Sequence, residues 1–291
     1  MLKKIAVFGL GLLGGSVCKS LKKIDRNIEI AAYGRDVRKL QKALDEGNVD
    51  SVGDINQPVL KGVDLVIVST PVVISIDIIK DILNRPDLGD DALVIDVGSV
   101  KGVIINEVEK NNRADRFVGC HPMAGSEKIG YEYSIHDLFH NASVIITPNR
   151  FNSDNEIEKI KSFWQMNGSN IHIQSAEQHD AIVALTSHLP HIVACSLVDV
   201  LKDKTGTVYN KGDIECLIGN GFKDVTRISS GSPDVWTDIS LLNRGNIHLS
   251  IYNLIEKLQL LLDIFNSDEI NIDKIQSYFQ YVKEFRDGLS E

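Results

Sequence analysis

Ile5-Ala-Val-Phe-Gly-Leu-Gly-Leu-Leu-Gly-Gly-Ser16 decides the fold. A short apolar run leads into glycines spaced Gly-x-Gly-x-x-Gly, at Gly9, Gly11 and Gly14. Between a strand and a helix each glycine has its own task. Gly9 permits a tight turn, Gly11 lets backbone approach a pyrophosphate, and Gly14 lets the helix pack on the strand. The helix start then offers unpaired N–H groups and the positive end of its dipole to phosphates. The reading is a dinucleotide-binding turn with NAD or NADP as cofactor.

Outward from this turn, short β-branched runs alternate with helical stretches as far as about Pro148. The strands are expected at Ile5–Phe8, Ile28–Tyr33, Leu65–Ser69, Leu93–Asp96, Phe117–Gly119 and Ser143–Thr147. Helices are expected at Gly14–Lys23, Val37–Glu46, Val73–Asn84 and Val100–Lys110. Several strands are continuously apolar, as suits a parallel sheet covered on both faces. A further helix is expected at Asn155–Asn167 and a strand at Asn170–Gln174. After Ala176 the strand signal all but ends, while Ile247, Ile251, Leu254, Leu258, Leu261, Leu262 and Phe265 recur at helical spacing. The expected architecture is an α/β Rossmann-type N-terminal domain, residues 1–174, followed by an all-α C-terminal domain, residues 175–291. The apolar helical stripe suits a homodimer, with burial inside the chain as the alternative.

Composition narrows the function. A chain of 291 residues exceeds the usual single domain. Its formal net charge of -9 argues against a nucleic-acid binder, which needs clustered Lys and Arg. No run of eighteen or so uncharged apolar residues stands out, and the N-terminus leads directly into a strand pattern, so a soluble, cytoplasmic protein away from membranes is expected. Cys18, Cys120, Cys195 and Cys216 lie far apart without C-x-x-C spacing, which fits reduced thiols.

The end of the second strand reads Tyr33-Gly-Arg-Asp36, and it bears on cofactor choice. An acid there would bond the ribose hydroxyls of NAD, whereas an Arg accommodates the 2′-phosphate of NADP. Gly34 occupies the usual acidic position; Arg35 tilts toward NADP and Asp36 still serves NAD. Leu12 and Leu13 in the first turn, with Ser69, Thr70 and Pro71 after the strand at Leu65, complete the candidate cofactor contacts.

Three polar clusters follow: His121-Pro-Met-Ala-Gly-Ser-Glu127, Ser187-His-Leu-Pro-His191 and Gly221-Phe-Lys-Asp-Val-Thr-Arg227. His121 follows a strand at the sheet edge where ligands sit, and a neutral imidazole there could take a hydroxyl proton. Taken alone the segment favours a histidine that caps the turn before Pro122. Ser187, His188 and His191 fall on a helix kinked by Pro190. His188, His191 and Cys195 share spacing i, i+3, i+7, yet no further partner completes a zinc pattern, and no metal is expected. Arg227, near Lys223, suits bidentate recognition of a carboxylate; its alternative is a surface pair with Asp224. The implied ligand is a small anionic molecule.

Together with Asp96-Val-Gly-Ser-Val-Lys-Gly102, His179-Asp180 and Trp236, these segments make a chain that resembles the prephenate and arogenate (cyclohexadienyl) dehydrogenase family over nearly its whole length. The resemblance implies NAD(P)-dependent oxidative decarboxylation of prephenate to 4-hydroxyphenylpyruvate in tyrosine biosynthesis, with arogenate to tyrosine as a second substrate. It implies His121 as catalytic partner of the ring hydroxyl, Ser99 assisting at the hydroxyl and nicotinamide, and Arg227 on a substrate carboxylate. Ser126, Glu127, Ser187, His188, His191, Lys223 and Trp236 would line or gate the pocket, and the helical domain would dimerise. His191, absent from some arogenate-preferring relatives, leans toward prephenate. Two other classes stay open at this level: a dehydrogenase of the 6-phosphogluconate type, which would carry a catalytic Lys in its helical domain, and a non-catalytic dinucleotide sensor.

Overall fold

The apolar run before the glycine loop forms the central strand of an eight-stranded sheet. The computed structural model describes residues 2–125, 128–266 and 272–289. The chain divides into two compact units, Met1–Arg244 and Gly245–Glu291. In the first, the strands are β1 (Lys4–Phe8), β2 (Glu29–Gly34), β3 (Ser51–Asp54), β4 (Leu65–Val68), β5 (Leu93–Asp96), β6 (Phe117–Pro122), β7 (Ser143–Thr147) and β8 (Asn170–Ile173), in the order β3-β2-β1-β4-β5-β6-β7-β8. The first six are parallel, β7 runs antiparallel to β6, and β8 is parallel to β7. The order 3-2-1-4-5-6 reverses direction between β1 and β4, which opens a crevice at their carboxyl ends.

Helices α1 (Leu12–Ile24), α2 (Gln41–Asp45), α3 (Val72–Leu83), α4 (Gly102–Val108) and α5 (Asp154–Met166) accompany the strands. Alternation along β1 splits the core. Ile5 and Val7 pack with Val17 and Leu21 of α1 on one face, and Ala6 and Phe8 with Ile79 and Ile82 of α3 on the other. Cys18 and Cys120 are buried among these side chains, and burial pushes both thiols up to about 12, so neither ionises readily.

Four expectations need correction. β3 gave no signal because Ser-Val-Gly-Asp is a short, partly exposed edge strand held by pairing with β2. The helix expected over 37–46 is a 3₁₀ turn, Val37–Leu40, followed by α2, because the Asp36 carboxylate caps the turn by accepting from Arg38 N at 3.1 Å. The helix expected from Val100 begins at Gly102. His121 does not follow β6 but lies inside it, opposite Ile145 of the antiparallel β7.

The rest of the first unit is helical. Helix α6 (Ala176–Val183) passes through a π turn, Ala184–His188, into α7 (Leu189–Lys204), followed by α8 (Lys211–Leu217), α9 (Asn220–Thr226) and α10 (Pro233–Leu242). The second unit is built of α11 (Arg244–Phe265), which begins at the boundary, and α12 (Ile272–Gly288). The continuous helix Ala176–Lys204 reaches a mean hydropathy of 1.7, so one described helix is long and apolar enough to cross a membrane by composition, contrary to the expectation from the sequence. It also carries His179, Asp180, His188 and His191, all buried.

The glycine loop holds its shape by close contact. Gly9 has φ +91°, and a Cβ there would meet the Ser69 carbonyl oxygen at 2.8 Å. A Cβ on Gly14 would lie 2.1 Å from the Gly9 carbonyl oxygen, whereas one on Gly11 would meet nothing within 4 Å. Gly14→Ala should therefore destabilise the protein by about 1–3 kcal/mol, the usual cost of overpacking. Gly11→Ala should leave the melting temperature nearly unchanged and weaken dinucleotide binding, because its Cβ projects into open space at the helix start. Thermal unfolding and cofactor titration of the two variants check this; equal effects on stability would refute the assignment of the two glycines.

Candidate functional site

A cleft of about 680 Å³ opens where the crevice between β1 and β4 meets the helices that follow β8. Gly11, Leu12, Leu13, Ser69, Thr70 and Pro71 form its floor on the sheet side. Gly11 caps α1 without any side-chain hydrogen bond, so the first N–H groups of that helix face a space that a side chain would fill. The donor set and the room above Gly11 fit a dinucleotide pyrophosphate. Asp36 and Arg35 lie outside this lining. Arg38 grips both oxygens of Asp36 through Nε and Nη2 at 3.0 and 3.1 Å and holds its carboxyl below the ordinary range.

The opposite wall carries Ser99, His121, Ser187, Arg227 and Trp236. Three polar clusters widely spaced in sequence thus share one cleft. Ser99 sits in the turn between β5 and α4, and His121 near the end of β6. Ser187 is delivered by the π turn, in which Leu189 N–H reaches the Ala184 carbonyl five residues back. Pro190, lacking an N–H, stands directly after that turn and α7 resumes around it.

Burial separates the remaining candidates. His188 does not line the cleft. It is buried, and its Nδ1 lies 3.1 Å from Asn243 Nδ2, which also donates to the Asp180 carbonyl at 2.8 Å. The carbonyl can only accept, so the Asn243 amide nitrogen is fixed as donor and His188 carries its proton on Nε2. His191 stacks behind Trp236, with ring centroids 3.4 Å apart and an interplanar angle of 10°. Its burial pushes its pKa down. Lys223 is exposed and outside the lining. Ser126 and Glu127 lie outside the described residues.

Two groups received no separate role from the sequence. His121 Nδ1 lies 2.8 Å from His179 Nε2, and His179 Nδ1 lies 2.8 Å from Asp180 Oδ1. Asp180 in turn accepts from the backbone N–H of Lys101 at 2.9 Å and of Gly102 at 2.8 Å. Beneath them Lys101 is fully buried, paired with Asp96 and donating to the Cys120 carbonyl at 2.8 Å. The pKa of His121 is pushed well below 6.5 by burial, then by His179, Lys101 and His188, so the ring is neutral. His188 is pushed down to about 4, chiefly by burial. The adjacency of His179 and Asp180 was visible in the chain; that it points back at His121 was not.

A second cavity, of about 720 Å³, lies at the amino-terminal edge of the sheet among Leu2, Ile28, Leu65, Leu93 and Phe163. Its wall mixes these apolar side chains with Asp25, Asp64, Asp91, Glu158 and Lys159, and holds no histidine and no residue of the glycine loop.

Comparison with known proteins identifies the family. The family described as prephenate dehydrogenase, nucleotide-binding domain, matches residues 17–173, and that described as prephenate dehydrogenase, dimerization domain, matches residues 175–281. A cyclohexadienyl dehydrogenase of Zymomonas mobilis is 33% identical over 249 residues, covering 83% of this chain and 81% of that one. A prephenate dehydrogenase of Bacillus subtilis is 31% identical over 288 residues, covering 98% of this chain and 76% of that one. The crystal structure of prephenate dehydrogenase from Aquifex aeolicus, in complex with hydroxyphenyl propionate and NAD+, superposes with a TM-score of 0.88 at 32% identity, covering 99% of both chains.

The buried neutral His188 has a consequence for stability. Its pKa is lower in the folded protein than the ordinary 6.5, so between those values the unfolded chain binds more protons. Stability contributed by this group is present above about 6.5 and is lost as pH falls toward about 4. Denaturant unfolding across this window should show a declining stability, with a shallower decline in His188→Gln. An identical slope in that variant would remove His188 from the effect.

Proposed function

The chain belongs to the prephenate dehydrogenase family, and from that premise we propose that it catalyses NAD(P)-dependent oxidative decarboxylation of prephenate to 4-hydroxyphenylpyruvate in tyrosine biosynthesis, with arogenate to tyrosine as the alternative substrate. The observation that carries the reading is His121. Its ring is neutral and lines the cleft, its Nδ1 is engaged by His179, and Nε2 is the nitrogen left for a substrate.

On this reading residues 1–174 are the dinucleotide-binding domain and residues 175–291 the helical substrate and dimerisation domain. Gly9, Gly11, Leu12, Leu13, Gly14, Ser69, Thr70 and Pro71 hold the cofactor, whose nicotinamide accepts a hydride when bound. Arg35 is the group available to a 2′-phosphate, while Asp36, gripped by Arg38, is less free for a ribose. His121 Nε2 takes the proton of the ring hydroxyl as the C–H bond at the same carbon gives up its hydride. The ring carboxylate leaves as carbon dioxide, its bonding electrons complete the aromatic ring, and the resulting phenolate oxygen takes its proton back from His121. Ser99 orients the hydroxyl. Arg227 binds a carboxylate of the substrate, and Ser187 and Trp236 wall the ring, with His188 and His191 supporting them from behind. The chemistry needs only positioning and an unprotonated base.

We also infer a cytoplasmic homodimer. The helical elements carry exposed apolar side chains in numbers a monomer rarely shows. Leu197, Val200, Leu217 and Leu241 are among them in the first unit; Leu249, Ile255, Leu258, Phe279 and Phe285 are among them in the second. Among the described residues all four cysteines are unpaired thiols, as in a reducing compartment.

His121→Asn should lower kcat by ~10²–10⁴ with little change in cofactor affinity. Arg227→Ala should mainly raise KM for the substrate, by roughly ten- to a hundredfold, the worth of a charged hydrogen bond. Both are read from the absorbance of the reduced nicotinamide, with prephenate or arogenate and NAD or NADP in every combination. No reduction in any combination, with dinucleotide binding intact, would overturn the proposed reaction.

A further inference from the structure

We infer that His179 and Asp180 are positioning residues that hold His121 in the tautomer with its proton on Nδ1, so that the Nε2 lone pair faces the cleft. The argument runs from the anchored end of the chain of bonds. Asp180 meets three donors: Lys101 N at 2.9 Å, Gly102 N at 2.8 Å and His179 Nδ1 at 2.8 Å. Two of these are backbone amides that can only donate, and an acceptor-only carboxylate satisfies all of them. His179 Nδ1 therefore carries a hydrogen, and an imidazole with that one hydrogen accepts at Nε2. The partner it faces is His121 Nδ1 at 2.8 Å, which must then be the donor. Each assignment follows from the one before, and the last leaves His121 Nε2 bare.

Free neutral histidine prefers the opposite tautomer, with the proton on Nε2. A His121 left to itself would present an N–H to the substrate hydroxyl and could not take its proton. The His179–Asp180 pair thus supplies what the base cannot supply alone. The contact is deep enough to be selective: His179 is 1% exposed, and the His121 and His179 rings meet edge to face, with centroids 5.0 Å apart. Bulk water does not compete for Nδ1 there. When His121 accepts the hydroxyl proton it becomes an imidazolium. The Asp180 carboxylate, one ring away, is the negative charge on that line of bonds.

The inference rests on the reading of His121 as proton acceptor, and two measurements keep the two apart. The first uses the unaltered protein labelled with ¹⁵N at histidine, with His121 assigned by its absence in His121→Asn. The expected spectrum has His121 protonated at Nδ1 and bare at Nε2; protonation at Nε2 instead overturns the inference. The second is His179→Ala, which leaves the Asp180 bonds to Lys101 and Gly102 in place. Expected are a kcat lower by on the order of 10²–10³, a KM and a cofactor Kd within a few fold, and a His121 signal moved to the Nε2–H form. A purely structural role would lower the melting temperature and cofactor affinity without moving the tautomer, and that result also overturns the inference. Full turnover in His179→Ala beside an inactive His121→Asn would refute the positioning role alone. Full turnover in His121→Asn would refute the base itself.

Discussion

The Asp180 carboxylate is the point at which the helical segment is tied to the nucleotide-binding sheet. Its oxygens accept from the backbone at Lys101 and Gly102, the first amides of α4, and from His179 on its own helix. Each bond of this kind to a charged group is worth about 1.5–3 kcal/mol, and the loss of the carboxylate would leave buried amides unpaired. Geometry matters more than the sum. Strand β6 and the helix that backs it meet through His121 and His179, 58 positions apart, and the Asp180 carboxylate joins that helix to the start of α4.

Beneath that junction lies a second constraint, the buried pair of Lys101 and Asp96. Taking both charges out of water is costly, and such pairs seldom add net stability against an apolar substitute. Here every polar atom of the pair has further work. Asp96 accepts from Gly98 N at 2.8 Å and Cys120 N at 3.2 Å, and Lys101 donates to the Cys120 carbonyl at 2.8 Å. These bonds define the backbone on both sides of Cys120, and so the position from which His121 departs. The same lysine offers its amide to Asp180. One residue therefore places both His121 and the Asp180 that reaches it through His179, which is a reason to keep a charge where packing alone would favour an apolar side chain.

Much of this was legible in the chain because it rests on local rules. The glycine spacing, the apolar strands and the switch to helical periodicity each reflect a few consecutive residues, and they yield the Rossmann order and the helical segment. What escaped was set by partners distant in sequence. β3 exists through pairing with β2, and the antiparallel turn of β6 into β7 moves His121 from the strand's end into its body. Among site residues, Ser99, His121, Ser187, Arg227 and Trp236 meet in the cleft as the motifs suggested. His188 and His191 recede behind it: neighbouring helical residues point about 100° apart, so His188 faces away from the wall that Ser187 forms. His179, Asp180 and Asn243 act through contacts spanning 58 to 79 positions, which no spacing rule reaches.

The helix from Ala176 to Lys204 shows how the two levels meet. By hydropathy it could span a membrane, and only 28% of its most apolar window is buried within this chain. Yet His179, Asp180, His188 and His191 lie along it, and each forms a specific contact with the sheet or the neighbouring helices: His121, the α4 amides, Asn243 and Trp236. Burying an ionised carboxylate in lipid would cost several kcal/mol, whereas here three donors compensate it. The polar side of the helix is thus already committed to the protein, and its apolar side is what remains uncovered. Its hydropathy is that of a helix with one side committed to buried polar contacts and the other left uncovered by this chain.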